Sequence, residues 1–147
     1  MDIKFKYIGA EEYAYIPHHA TEGASGVDLR NNSGKVVVIP PQTSKSIPTG
    51  ICVEIPEGYE GQLRPRSGIA VKRQLTMLPS VGTIDSDYRG EISITYYNLG
   101  NTTQTIDVSE RIAQLVIAPY VKCTYRNTVE ALTETERGTG GFGSTGK

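Results

Sequence analysis

Apolar and polar residues alternate through Ile3, Phe5 and Tyr7, again through Ile51, Val53 and Ile55, and again through Ile92, Ile94 and Tyr96. A period of two puts the apolar side chains on one face of extended chain, so each stretch predicts a half-buried strand. Two denser apolar runs, 36–39 and 115–118, read as strands covered on both faces. Turn signals separate these stretches: Pro40-Pro41, Pro48-Thr49-Gly50, Pro56-Glu57-Gly58 and Asn98-Leu99-Gly100-Asn101. Only residues 67 to about 73 read as helix, with Ser67 as the expected N-cap. Many short strands and one short helix predict an all-β sandwich or barrel.

Composition narrows what such a fold can do. A chain of 147 residues with 37% hydrophobic content suits one domain with its own core. A formal net charge of -1 removes the broad positive field that a polymeric nucleic acid needs, so duplex and RNA partners are not expected. A small polyanion remains possible where a few arginines converge. The charged start Met1-Asp2-Ile3-Lys4 and the lack of any long apolar run predict a cytoplasmic protein with no membrane partner. Cys52 and Cys123 lack the spacing of a zinc or redox motif and read as buried free thiols, with a single disulfide as the alternative. His18 and His19 are adjacent and read as a surface loop.

Three segments carry candidate chemistry. The last eleven residues, from Arg137 to Lys147, hold five of the 16 glycines. Gly138 and Gly143 have the spacing of a Walker A loop, yet Ser144 stands at the lysine position and too little chain follows Thr145 for a helix, so a P-loop is rejected. Glycines still let backbone N–H groups approach phosphate oxygens, with Arg137, Ser144 and Thr145 as further donors, and Phe142 suits stacking on a planar ligand, although composition alone favours a disordered, soluble terminus. In Arg64-Pro65-Arg66-Ser67-Gly68, a strand runs into the short helix, and Arg66, the Ser67 hydroxyl and free N–H groups would converge on a phosphate. Taken alone, an ordinary helix cap beside solvated arginines explains that segment better. In Gly82-Thr83-Ile84-Asp85-Ser86-Asp87-Tyr88-Arg89-Gly90-Glu91-Ile92, read as a hairpin, backbone groups could read a base edge and an ionised Asp could take a proton from water. A turn rich in Asp and Ser for conformational reasons fits that spacing equally well.

With these residues in view, the chain resembles the trimeric dUTPase family over nearly its whole length. Five family motifs occur in order: Ala24-Ser25-Gly26-Val27-Asp28-Leu29-Arg30, then Arg66-Ser67-Gly68, then Gly82 to Gly90, then Glu110-Arg111-Ile112-Ala113-Gln114-Leu115, then Arg137 to Gly146. The order and spacing of all five outweigh the local alternatives. The resemblance implies a jelly-roll-like β subunit in a homotrimer, with a β domain over residues 1–136 and a flexible tail over 137–147 that closes a neighbour's active site. It implies a dUTP pyrophosphatase that supplies dUMP and limits uracil incorporation into DNA.

By the same resemblance, Asp85 is the general base that directs water at the α-phosphorus. Arg66, Ser67, Gly68 and Gln114 hold the triphosphate, joined on closure by Arg137, Gly143, Ser144 and Thr145. Gly82, Thr83 and Ile84 read uracil through their backbone, Tyr88 packs under the deoxyribose and Phe142 stacks over the base. Mg2+ is the expected cofactor, held chiefly by phosphate oxygens and water, with Asp28 an outer-shell carboxylate at most. Pro79 stands where many members carry Asn near the base pocket, and Ser109 where Gly usually precedes the acidic residue and Arg111. The rival readings are a dCTP deaminase or bifunctional deaminase of the same fold, and a non-catalytic nucleotide sensor on this scaffold. The complete tail with Phe142 and the intact stretch from Asp85 to Tyr88 weigh against the deaminase, and no lost motif supports the sensor.

Overall fold

A computed structural model describes residues 1–141. Eleven strands appear in it: β1 (Lys4–Tyr7), β2 (Val27–Arg30), β3 (Val37–Ile39), β4 (Ser44–Pro48), β5 (Ile51–Glu54), β6 (Tyr59–Pro65), β7 (Leu75–Leu78), β8 (Gly82–Ile84), β9 (Ser93–Asn98), β10 (Gln104–Ile106) and β11 (Arg111–Pro119). One α-helix, α1 (Ser67–Arg73), follows β6, and a single 3-10 turn spans Glu11–Tyr13. The strands form a four-stranded sheet in the order β2-β11-β6-β8, a three-stranded sheet β4-β9-β7, and two ribbons, β1-β5 and β10-β3. Every pairing between named strands is antiparallel.

The alternation in sequence becomes alternation in burial. Ile51, Val53 and Ile55 enter one core with Ile92, Ile94 and Tyr96, and Leu29, Leu63, Leu75 and Ile112 complete it. β11 lies between β2 and β6, and there both Leu115 and Val116 are buried, as expected for a strand covered on both faces. Residues 36–39 differ from expectation: Val36 and Val38 are each 49% exposed while Ile39 is fully buried. The reason is that β3 belongs to a two-stranded ribbon with β10, so only one face meets the core. The thiols differ too, since Cys52 is only half-buried and Cys123 is exposed. His18 and His19 are exposed, as read from sequence.

Beyond β11 the chain leaves the packed body. Tyr120 N–H still donates to Gly58 O at 3.0 Å, but residues 121–141 form no strand or helix, and Val121, Tyr125, Val129 and Leu132 are all strongly exposed. Among the described residues, no helix is long and apolar enough to cross a membrane.

Candidate active site

Strand register builds the first part of the site. On the four-stranded sheet Asp28 of β2 pairs with Gln114 of β11, and Gln114 pairs with Arg64 of β6, so three polar residues form a row across the sheet. Their neighbours Leu29 and Ala113 alternate to the opposite face and are buried in the core. One step beyond the row β6 ends at Pro65, and Arg66 stays extended with φ -84° and ψ 132°. Arg66, not Ser67, is therefore the N-cap of α1, and it caps with its backbone only. The N–H groups of Ile69 and Ala70 both turn back to Arg66 O at 3.1 Å. This corrects the expected cap in a useful direction: as the first helical residue, Ser67 keeps its hydroxyl out of capping and exposed.

A half-buried carboxylate orders the arginines. Asp28 is 13% exposed, and its Oδ2 accepts from Arg111 Nη1 at 3.1 Å while Oδ1 lies 3.4 Å from Arg66 Nε. The second contact is near enough for ion pairing but not aligned as a hydrogen bond, so Oδ1 is buried without a donor. Arg66 Nη1 also donates to Arg111 O at 3.1 Å, which locks the two arginines to one another. Behind them Arg73 Nη2 meets Glu110 Oε1 at 2.7 Å, and Glu110 Oε2 accepts from Asp107 N at 3.0 Å. The resulting cleft, about 350 Å3, is lined by Arg66, Ser67, Gly68, Ile69, Lys72, Arg73, Glu110 and Gln114. Several cationic and hydroxyl donors around one opening suit a chain of phosphates.

Asp85 lies elsewhere. β8 pairs with β6, not with the strand that follows it, so the stretch 82–92 is a crossing between two sheets closed by a turn and not the hairpin read from sequence. The turn is closed by Tyr88 N–H donating to Asp85 O at 3.1 Å, and Arg89 Nη1 donates to Ser86 O at 2.7 Å. A second cleft, about 330 Å3, is lined by Thr83, Ile84, Asp85, Tyr88, Glu91, Ile92 and Ser93. A wider opening of about 760 Å3 that Asp85 also lines carries Glu54, Glu57, Glu60 and Asp87 against Arg89 and Lys122, a net negative lining that disfavours a triphosphate.

The register of β6 separates the two clefts within one chain. Ile84 stands opposite Gly61, so Asp85 runs out past Glu60 while Arg66 lies beyond the other end of the same strand. At roughly 3.3 Å per residue this places Asp85 and Arg66 about 20 Å apart, more than the two side chains can span. One chain thus brings together Asp28, Arg66, Ser67, Gly68 and Gln114, and brings together Gly82, Thr83, Ile84, Asp85 and Tyr88, but does not join the groups. Arg137 is exposed, and its Nε donates to Gly140 O at 2.9 Å. Phe142, Gly143, Ser144 and Thr145 lie outside the described residues.

Several participants had no role assigned from sequence. Arg111 was visible inside a motif, but its grip on Asp28 depends on the β2-β11 ladder, which joins residues 83 positions apart. Arg73 and Glu110 meet through tertiary packing, for which the sequence holds no local signal. Pro79 is exposed just past β7. Ser109 adopts φ 60°. Among the described residues no three of His, Cys, Asp and Glu converge as metal ligands.

Comparison with known proteins gives the site its context. The dUTPase family model matches residues 12–146. A deoxyuridine 5'-triphosphate nucleotidohydrolase of Chlamydia pneumoniae is 52% identical over 131 residues, covering 89% of this chain and 90% of the relative. The solved dUTPase of Staphylococcus bacteriophage 80alpha with dUpNHpp superposes with a TM-score of 0.88 at 29% identity, covering 99% of both chains. A variant dUTPase from phage phi11 of S. aureus, whose structure is described as revealing the coordination of a structural Mg(II) ion, matches with a TM-score of 0.78 at 26% identity, covering 88% of this chain and 98% of that one.

Proposed function

The chain belongs to the dUTPase family, and on that premise we propose that it acts as a cytoplasmic homotrimer of jelly-roll-like subunits, in which the phosphate cleft of one copy meets the Asp85 turn of another. Its activity is that of a dUTP diphosphatase, which hydrolyses dUTP to dUMP and pyrophosphate. The observation that carries the shared site is the β6 register, which keeps Asp85 about 20 Å from Arg66 inside one chain. A neighbouring copy can supply the missing half.

In the assembled site Arg66, Ser67, Gly68 and Gln114 bind the β- and γ-phosphates. Asp28 keeps the Arg66 guanidinium in place and so presents the fork before substrate arrives. The Asp85 carboxylate orients a water and takes its proton as the water oxygen bonds to the α-phosphorus. The bond from that phosphorus to the bridging oxygen breaks, and pyrophosphate leaves with the electron pair. Donors around the leaving group stabilise the charge that builds there, the dominant electrostatic contribution in phosphoryl chemistry. The backbone of Gly82, Thr83 and Ile84 pairs with the uracil edge, and Tyr88 under the sugar excludes a ribose 2′-hydroxyl. Residues 1–136 form the β domain, and the tail 137–147 carries Arg137, Phe142, Gly143, Ser144 and Thr145 across to a neighbour's site, where closure excludes bulk water.

Mg2+ is the cofactor of the family's reaction. The residues fit a hydrated ion carried by the triphosphate: Asp28 Oδ1 is a buried acceptor with no hydrogen-bond donor beside the phosphate cleft, and no set of three ligands competes for the ion among the described residues. Asp28 would hold it through water, and the ion would supply neutralisation of phosphate charge.

Complementation tests the shared site. Asp85→Asn and Arg66→Ala chains, each inactive alone, are unfolded together, refolded at equal amounts and assayed for pyrophosphate release from dUTP. Random assembly into rings recovers about a quarter of the wild-type sites if clamp and base come from different chains. Recovery no greater than the sum of the separate variants would place both groups in one chain and refute the shared site.

A further inference from the structure

The Asp85 turn returns to the core through Glu91, a residue that lines the same cleft as Asp85 and Tyr88. Tyr88 folds back over Gly90, where an added Cβ would collide with the phenol oxygen, and its hydroxyl donates to Glu91 O at 2.9 Å. The Glu91 side chain faces the other way along the fold: Oε1 accepts from Gly50 N–H at 2.7 Å. We infer that Glu91 is a positioning residue that sets the sugar selectivity of the enzyme by holding Tyr88 through its own carbonyl.

The anchor at Gly50 is rigid. Gly50 has φ 71°, and a Cβ there would meet Asn32 Oδ1 at 2.8 Å and Tyr7 Cε2 at 2.9 Å. Its carbonyl accepts from Ile8 N–H at 2.8 Å. Strand register does not need the Glu91 bond, because Ile92 N–H already donates to Ile51 O at 2.8 Å and the Thr49 hydroxyl to Ile92 O at 2.6 Å. What the carboxylate adds is a fixed setting for the Glu91 peptide, the one unit whose oxygen holds the phenol. A hydrogen bond to a charged acceptor is among the stronger ones, so its loss loosens the ring that fills the space of a 2′-hydroxyl. This inference rests on the reading of Tyr88 as the residue beneath the sugar.

The full chain is assayed for kcat/KM with dUTP and with UTP as wild type, Glu91→Ala, Glu91→Gln, Tyr88→Phe and Tyr88→Ala. The dUTP-to-UTP ratio is expected to fall about tenfold in Glu91→Ala, the scale of one charge-assisted hydrogen bond. Glu91→Gln keeps the Oε1 acceptor and retains most of the ratio, Tyr88→Phe lowers it, and the combined Glu91→Ala, Tyr88→Phe chain falls no further than the worse single change. An unchanged ratio in Glu91→Ala, with selectivity lost in Tyr88→Ala, would reduce Glu91 to a structural tie and overturn the inference alone. An unchanged ratio in Tyr88→Ala would instead remove the reading of Tyr88 beneath the sugar. If Glu91→Ala does not fold, Tyr88→Phe decides, and an undiminished ratio there overturns the proposal.

Discussion

Ser109 adopts φ 60° because the loop before β11 must satisfy two partners at once: its N–H donates to Asn31 O at 2.9 Å, and its carbonyl accepts from Arg30 Nη1 at 2.9 Å. A Cβ in this left-handed region costs roughly 1–2 kcal/mol, which gives a physical reason for the glycine that the family resemblance puts here. Ser109→Gly relieves that strain and gives back roughly 0.5–1 kcal/mol to the greater freedom of the unfolded chain. The expected net effect is a gain of about 0.5–1 kcal/mol, read as a higher urea midpoint with an unchanged slope. A lower midpoint would show that the serine backbone is not strained. Asp28 illustrates the other kind of residue-scale effect, in which one carboxylate fixes two arginines from different elements before any phosphate enters.

Between elements, the tie that matters most runs from β9 to β11. Register shifts between Arg111 and Ala113, so Ile112 falls outside both ladders of β11 and its carbonyl has no strand partner. Tyr96 supplies one: its buried hydroxyl donates to Ile112 O at 2.6 Å, next to the residues that shape the phosphate cleft. Burial pushes the Tyr96 phenol up to about 12 from its ordinary value of 10.0. An acid with a raised folded pKa contributes stability that is intact below the unfolded value and lost as pH climbs to the folded one. Tyr96→Phe is therefore expected to cost about 1–2 kcal/mol at neutral pH, and the gap from wild type should narrow from pH 10 to 12. Denaturant melts across that range check it, and a gap that stays constant would mean that the hydroxyl does not titrate differently on unfolding. The bulge behind this tie was not legible in sequence, because nothing local marks Ile112 as the residue that skips a ladder. Strands with one wet face were legible, since Ile51 to Ile55 and Ile92 to Tyr96 alternate as the core requires. The 36–39 run misled because apolar density does not reveal whether a strand lies inside a sheet or in a ribbon. The candidate site divides the same way: Arg66, Ser67, Gln114 and Asp85 could be named from motifs, whereas the contacts of Arg111, Arg73 and Glu91 exist only after packing.

At the scale of the molecule, the residues after β11 carry apolar surface that one chain leaves uncovered. Val121 is 85% and Tyr125 91% exposed on an arm without strand or helix, and Phe5 on β1 is 40% exposed. Several exposed apolar side chains on one arm offer surface that a partner could cover, and neighbouring copies of the chain are the partners that the proposed shared site requires. On the proposed shared site, two functions would divide along one segment: residues just after β11 would serve assembly, and the glycine-rich stretch from Arg137 onward would serve closure. A chain ending at Glu136 should therefore keep its trimer by sedimentation equilibrium while its dUTP turnover falls by about a hundredfold or more, the scale of losing charge-stabilising donors. A chain ending at Tyr120 should lose the trimer as well, since the apolar arm goes with it. If the shorter chain still sediments as a trimer, the arm does not hold the copies together; if the chain ending at Glu136 turns over dUTP normally, the tail does not close the site.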